Sequence, residues 1–286
     1  SLSALRREVF GPVLHVVRSR REERSQLMAA INNTGYALTF GVHSRIDSTI
    51  EDLKAISDAG NIYVNRNLVG AVVGSQPFGG HGLSGTGPKA GGPLYLRRLL
   101  SRRPELGALA HHDLPVVLNF AGQWLRAIAP DFRAVVPAGT PLGITLSLPG
   151  PVGEDNVYTL TARGTVLCAG PTLEDLCQQV TDALSTGNAC AIPAEIWRRL
   201  PPPPVALGDS ILPLSTDVQV DVALCNGDAT DRKQVLAALE RKDGPVVCLH
   251  TPDADGRYPL EWLVQERACS TNTTAAGGNA ALMATV

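Results

Sequence analysis

The hydrophobic and polar positions of residues 1–100 alternate between strand-like and helix-like patterns. Short apolar runs that are typical of strands occur at 13–17, 37–42 and 61–67. Apolar residues at helical spacing occur at 21–32 and again after Ser48. Ser48 is expected to cap the second helix, which should end near Gly60. The glycine-rich stretch from Gly70 to Gly92 predicts a long loop.

The remaining chain has a strand and helix alternation of its own. Apolar runs that predict strands lie at 164–169, 189–192, 218–225 and 246–250. Thr172 and Asp175 have the spacing of a capping box, and the helix that follows should end at Gly187. A further helix is expected over 230–241. Alternation at this spacing favours a parallel, Rossmann-like sheet.

Residues 101–115 differ from both sides and predict a linker. They contain paired arginines, a proline and the adjacent histidines His111 and His112. Two neighbouring histidines could ligate a metal ion, but a solvated pair in a linker is the simpler interpretation. We therefore predict two units, residues 1–100 and 116–286, and no metal site.

Composition limits the possible functions. The 286 residues are 44% hydrophobic and 18% charged, which suits about two globular domains, and the net charge of −2 predicts no attraction to nucleic acid. Six cysteines without a C-x-x-C pair favour buried free thiols in the cytoplasm over a disulfide framework. No apolar run is long enough to span a bilayer. The chain has no initiator Met and opens within a motif, so we expect it to be part of a longer protein.

Two short motifs have both an ordinary and a functional interpretation. Gly80 to Gly85 matches G-x-G-x-x-G, but Gly87 and Pro88 follow where a dinucleotide-binding motif needs a helix, so a tight loop is favoured over a phosphate site. Glu8 and Phe10 lie two residues apart, and in an extended segment their side chains point the same way. Taken alone, a surface carboxylate and a core aromatic are the favoured interpretation of these two residues.

Several motifs together resemble the aldehyde dehydrogenase superfamily. The motifs are Glu8 to Pro12, Gly60 to Asn65, and Gln76 to Gly80 with Ser84 and Gly85. The stretch from Asn65 to Pro93 is similar to the glutamate-semialdehyde (pyrroline-5-carboxylate) dehydrogenase branch, as found in the bacterial bifunctional proline utilization A family. Residues 148–156 and 272–283 resemble the extra C-terminal domain of the long members of that family.

The resemblance implies an α/β fold with a defined order of parts. Residues 1–100 would end an aldehyde dehydrogenase catalytic domain, and 101–115 would be the linker. Residues 116–286 would form a Rossmann-like, non-catalytic domain of aldehyde-dehydrogenase type, with 270–286 closing a tunnel between two active sites. A role for the chain as a non-catalytic lid or oligomerisation module is the alternative.

The resemblance also implies an activity and site residues. The parent enzyme would oxidise L-glutamate γ-semialdehyde with NAD by way of a cysteine upstream of this chain, so the chain alone should be inactive and holds no catalytic residue. Glu8 would bind the nicotinamide ribose and Phe10 would pack beside the nicotinamide. Gly70 and Ala71 would bind the substrate carboxylate, and Phe78 would contact the aliphatic part of the substrate.

The remaining implications concern the parent protein. A proline dehydrogenase with FAD would lie upstream, outside this chain. The parent is expected to be a cytoplasmic homo-oligomer, or peripheral to the bacterial inner membrane, without nucleic-acid contact from this segment.

Overall fold

The chain forms helices and three β-sheets in a computed structural model that describes residues 2, 5, 9–100 and 103–274. The elements of the first segment are α1 (Arg24–Asn32), β1 (Tyr36–Ala37), β2 (Thr39–Val42), α2 (Asp47–Ile56), β3 (Asn61–Val64) and β4 (His81–Gly82). Those of the second are α3 (Val117–Ile128), β5 (Thr145–Leu148), β6 (Glu154–Ala162), β7 (Thr165–Cys168), α4 (Leu173–Ser185), β8 (Ala189–Ile192), α5 (Ala194–Trp197), β9 (Ile211–Pro213), β10 (Val222–Leu224), α6 (Ala229–Leu239), β11 (Cys248–His250) and β12 (Val264–Asn272).

A five-stranded parallel sheet forms the centre of the second segment. Its strand order is β11-β10-β7-β8-β9, and every neighbouring pair is parallel. Helix α4 packs on this sheet, and its buried side chains include Leu176, Val180 and Leu184. Helix α3 covers α4 with Trp124 and Leu125. Because α4 lies between the sheet and α3, its side chains are buried along most of its length.

A second five-stranded sheet joins the two segments. Its order is β2-β3-β12-β6-β5, so β2 and β3 come from the first segment and the other three strands from the second. Strand β12 lies parallel to β3, with Cys269 opposite Ile62, and antiparallel to β6 along nine residue pairs. Arg267 of β12 also donates to the carbonyl oxygen of Ser57 at 2.7 Å, just after α2. The two segments therefore share main-chain hydrogen bonds across β3 and β12.

Most of the predicted elements are confirmed. Both helices of the first segment are present, as are the strands after Gly60 and Gly164. Thr172 caps α4 by accepting a hydrogen bond from the Asp175 N–H at 3.1 Å. The parallel sheet of the second segment is also present, with β9 as an additional edge strand. The division into domains at 101–115 stays a prediction.

Three local predictions are wrong. Residues 13–17 form no strand, because no described strand lies beside them to complete their hydrogen bonds, and side chains such as Leu14 are exposed. The strand expected over 37–42 is interrupted, because β1 pairs with β4 while β2 pairs with β3. Ser48 does not cap α2, because the helix begins at Asp47 and its N-cap is Ile46, two residues before Ser48.

The glycine-rich loop folds tightly, as expected. A Cβ atom on Gly80 would lie 2.6 Å from the Ser84 Cβ, and Gly82 has φ +59°. No helix begins directly after this G-x-G-x-x-G stretch, in residues 86–95, which supports the loop interpretation. None of the helices in the described part of the chain is long and apolar enough to cross a membrane. Within residues 9–100 and 103–274, no group of three His, Cys, Asp or Glu side chains is placed to hold a metal ion.

The linker histidines have local partners. The Nε2 atom of His111 lies 2.5 Å from the carbonyl oxygen of Leu142, and the Nδ1 atom of His112 lies 2.8 Å from that of Ala138. All six cysteines are free thiols, and four of them are buried.

Replacing Gly60 by Ala tests the close approach of β3 to the glycine-rich loop. A Cβ atom at Gly60 would lie 2.2 Å from the carbonyl oxygen of Gly79, a main-chain atom that cannot rotate away. We expect Gly60→Ala to lower the free energy of unfolding by about 3 kcal/mol in urea titrations. Gly122→Ala in α3 is the matched control and should raise it by about 0.5–1 kcal/mol. Equal effects of the two substitutions would contradict the proposed contact.

Candidate functional site

Three of the residues predicted to bind substrate lie between β3 and β4. Gly70 and Ala71 belong to the loop from Arg66 to Gln76, and Phe78 follows that loop. Gly70 has φ +82°, in the left-handed region that favours glycine, and a Cβ atom there would meet nothing within 4 Å. Gly70 and Ala71 are exposed, so their main-chain atoms are accessible from solvent.

Two adjacent N–H groups at the centre of this loop donate no hydrogen bond to any described residue. The N–H of Val69 donates to Asn67 Oδ1 at 3.3 Å, and the N–H of Val72 donates to Gln76 Oε1 at 3.2 Å. Within the described residues, the N–H groups of Gly70 and Ala71 between them have no hydrogen-bond partner. Neighbouring N–H groups beside a left-handed residue can form a concave site for an anion.

The carboxylate of Glu154 binds both ends of the loop. Its Oε2 atom accepts from Arg66 Nη1 at 2.6 Å, and its Oε1 atom accepts from Gln76 Nε2. The Ser270 hydroxyl lies 2.7 Å from the same Arg66 nitrogen and 3.4 Å from Gln76 Nε2. Glu154 belongs to β6 and Ser270 to β12, so the second segment holds a loop of the first.

Further contacts restrain the loop internally. Besides accepting from Val72, Gln76 donates its own N–H to the Val72 carbonyl oxygen at 2.8 Å. The Arg66 guanidinium carbon lies 5.2 Å from the centre of the Tyr63 ring, within range of a cation–π contact. Burial raises the pKa of the Tyr63 phenol above its usual value, although the charge of Arg66 acts in the opposite direction.

Phe78 is fixed through its main chain while its ring stays partly open to solvent. Its N–H and C=O pair with Ala90, at 3.0 and 2.8 Å. On either side, the Asn61 amide donates to the Pro77 carbonyl oxygen at 2.8 Å and accepts from the Gly79 N–H at 3.0 Å. The residue is 36% exposed, so part of it is open to contact with a ligand.

The structure separates Phe10 from this loop. Phe10 is 96% exposed, so it makes almost no contact with the described residues. Glu8 lies outside the described residues, as does most of the predicted tunnel-closing stretch 270–286, which is described only to Thr274. The cofactor role of Glu8 and Phe10 stays a prediction.

Sequence reasoning missed the residues that hold the loop in place. Arg66 and Gln76 lie within the motifs of the family resemblance, but nothing in the sequence pairs them with Glu154, which lies 88 and 78 positions further along the chain. Lys89 had a weak signal, since it is one of four lysines and lies in a glycine-rich stretch. It is 2% exposed and bonds to Asn61 Oδ1 at 2.9 Å.

Comparison with known proteins relates the whole chain to one group. Residues 1–103 match the model of the aldehyde dehydrogenase family. The bifunctional protein PutA of Rhizobium meliloti is 47% identical over 304 residues, which cover 99% of this chain and 24% of that protein. A 1-pyrroline-5-carboxylate dehydrogenase of Geobacillus thermodenitrificans is 45% identical over 92 residues, covering 32% of this chain and 18% of that protein.

A solved structure agrees with the sequence comparison. Proline Utilization A from Corynebacterium freiburgense superimposes with a TM-score of 0.52 at 26% identity, covering 86% of this chain and 24% of that one. The chain therefore spans about a quarter of the length of its full-length relatives.

Replacing Glu154 by Gln tests whether this carboxylate holds the loop. The substitution removes the charge that Arg66 faces, and both side chains of the pair are mostly buried. We expect hydrogen exchange at the amides of Val72 and Gln76 to become about 30-fold faster, equivalent to about 2 kcal/mol. Glu51→Gln is the control, because Glu51 pairs with Lys54 at the surface and should change exchange in this loop very little. Unchanged protection in Glu154→Gln would contradict the role of the carboxylate.

Proposed function

The chain belongs to the PutA group of the aldehyde dehydrogenase superfamily, and we propose that it supplies part of the substrate site of an NAD-dependent L-glutamate γ-semialdehyde dehydrogenase. The parent protein would be a bifunctional enzyme that oxidises proline to glutamate. The observation that carries this proposal is the pair of free N–H groups at Gly70 and Ala71, on a loop fastened at both ends and followed by the partly exposed Phe78.

The two N–H groups suit the carboxylate of the substrate. A carboxylate oxygen accepts hydrogen bonds from main-chain N–H groups, and such bonds to a charged acceptor are stronger than neutral ones. The N–H groups of Gly70 and Ala71 are the two in the Val69–Val72 stretch that the loop leaves open. Since the loop ends are held by Glu154, a carboxylate would meet donors whose positions are already restrained.

Phe78 suits the methylene groups that separate the carboxylate from the aldehyde. Its main chain is bound on both sides, so the direction in which its side chain leaves the backbone is already set when a substrate packs against the ring. An aliphatic chain that covers the exposed part of the ring is removed from water. Gly70, Ala71 and Phe78 would thus bind opposite chemical parts of one small molecule.

Phe10 and Glu8 are the two residues that we propose to hold NAD. Phe10 presents nearly its whole ring to solvent, so it is available to pack beside a nicotinamide. Glu8 would accept hydrogen bonds from the ribose hydroxyls. When bound, NAD supplies the hydride acceptor for aldehyde oxidation. FAD would belong to the proline dehydrogenase part of the parent and is not assigned to this chain.

The nucleophile is assigned to another part of the parent polypeptide. Burial raises the pKa of the Cys177 thiol to about 11, and the thiols of Cys168, Cys225 and Cys269 also have raised pKa values. A thiol that stays protonated at neutral pH is a poor nucleophile. We therefore expect the isolated chain to be inactive. The parent is proposed to be a homo-oligomer of the cytoplasm, and the six free thiols of this chain support the reducing compartment.

A second candidate function is favoured by the shared sheet. The second segment would act as a non-catalytic support that holds the substrate loop and helps to close the path between two active sites. Glu154 and Ser270 support this role, because both reach the loop from the second segment. The two functions are compatible, one for each segment.

Replacing Phe78 by Ala in the complete parent enzyme tests the proposed substrate contact. Loss of the ring should lower kcat/KM for glutamate semialdehyde by about tenfold or more, measured as NADH formation. Proline oxidation by the same variant should be unchanged. Phe120→Ala, on the exposed face of α3, is the matched control and should affect neither reaction.

The outcomes separate the two candidate functions. Unchanged semialdehyde kinetics in Phe78→Ala would contradict the assignment of Phe78 to the substrate site. Glu154→Gln tests the supporting role in the same assay, since a loosened loop should raise KM for the semialdehyde while proline oxidation stays normal. Wild-type KM in that variant would overturn the supporting role and leave the Phe78 assignment intact.

A further inference from the structure

Lys89 is a buried lysine whose ammonium group donates its hydrogen bonds to neighbouring groups of the protein. The residue is 2% exposed, and its Nζ atom donates to Asn61 Oδ1 at 2.9 Å and to the carbonyl oxygen of Gly79. Its main-chain N–H donates to Glu266 Oε2 at 2.6 Å. Among the described residues, Lys89 takes part in no salt bridge. Its contacts are therefore directed at main-chain and amide oxygens around one turn.

That turn contains Phe78. Asn61 binds the Pro77 carbonyl oxygen before Phe78 and the Gly79 N–H after it, while Ala90 takes both main-chain groups of Phe78 itself. The Gly79 carbonyl oxygen is the next group along the chain, and Lys89 binds it. Five consecutive polar groups of the main chain are thus satisfied, and Lys89 contributes the last. It also binds the Asn61 oxygen, which orients that amide.

The space around the ammonium group is tightly limited. A Cβ atom on Gly60 would lie 2.8 Å from Lys89 Nζ, and one on Gly79 would lie 3.4 Å from Lys89 Cγ. Burial lowers the pKa of Lys89 to about 7, and the Glu266 carboxylate acts in the opposite direction. An aliphatic side chain of similar length would fill this space without the free-energy cost of burying a charged group. A lysine here is thus better explained by the hydrogen bonds that it donates than by its volume.

We infer that Lys89 is a positioning residue for Phe78: its ammonium group fastens the Asn61 amide and the Gly79 carbonyl, so that the aromatic ring keeps one orientation toward the substrate chain. The inference rests on the proposed function in that it assigns the Phe78 ring to the substrate. The fastening itself is a property of this chain and can be measured without any enzyme activity.

The first experiment uses ¹⁹F NMR of the chain labelled with 4-fluorophenylalanine. The chain has five phenylalanines, and Phe78→Leu identifies the Phe78 signal by its loss. Lys89→Met keeps the length and apolar stem of the side chain but removes the donors. We expect the Phe78 signal to move toward the position of a freely rotating, solvated ring, while the signal of Phe132, packed against the core of the second segment, stays in place. Lys233→Met, at an exposed lysine of α6, should move neither signal.

Retention of the wild-type Phe78 signal in Lys89→Met would overturn the inference. Loss of the Phe132 signal would show that the variant does not fold. In that case Lys89→Gln is measured, because its amide remains polar but ends one bond short of the lysine nitrogen. Release of the Phe78 signal in a folded Lys89→Gln chain supports the inference, and an unchanged signal overturns it.

Kinetics of the complete enzyme then separate this inference from the proposed function. Lys89→Met should raise KM for glutamate semialdehyde by about tenfold with a smaller effect on kcat, because the ring contacts substrate without touching the reacting atoms. If the Phe78 signal moves and KM does not, the positioning role of Lys89 stands and the assignment of Phe78 to the substrate fails. If the signal is unchanged and KM still rises, the positioning role fails.

Discussion

The carboxylate of Glu154 holds both ends of the loop that carries the proposed substrate contacts, and the geometry of the site depends on it. One oxygen faces Arg66 and the other faces Gln76, ten residues further along the chain. Ordering a surface loop costs conformational entropy of about 1–2 kcal/mol for each residue, and partners from outside the loop offset part of that cost. The N–H groups of Gly70 and Ala71 can therefore stay unpaired in an otherwise ordered loop.

The Glu154 interaction in turn requires the sheet that both segments build. Glu154 begins β6 and Ser270 lies in β12, and β12 is held beside β3 by parallel pairing from Asn61 to Val64. Arg66 follows β3 by two residues, so the register of this pairing determines which side chains meet. A slip by one residue would turn Ser270 to the opposite face of the sheet. The Arg66–Gln76 loop of the first segment and the strands of the second thus depend on one another.

Local patterns predicted much of this fold because they report on local structure. The spacing in 172–187 predicted α4 and its Thr172 cap correctly, and the alternation of strands and helices predicted the parallel sheet. The partner of β3 could not be predicted, because strands that pair across two hundred residues leave no periodic signal. The same holds for Glu154. Conversely, residues 13–17 have the composition of a strand but lack a described neighbour, since a strand is a property of a pair.

Arg66 and Glu154 interact directly and hold the loop across the two segments. A double-mutant cycle with Arg66→Met, Glu154→Gln and the double variant, read as free energies of unfolding in urea, measures this most directly. We expect a coupling energy of about 1–3 kcal/mol, because the pair is 2.6 Å apart and largely shielded from water. Additive effects of the two substitutions, with a coupling energy near zero, would contradict it.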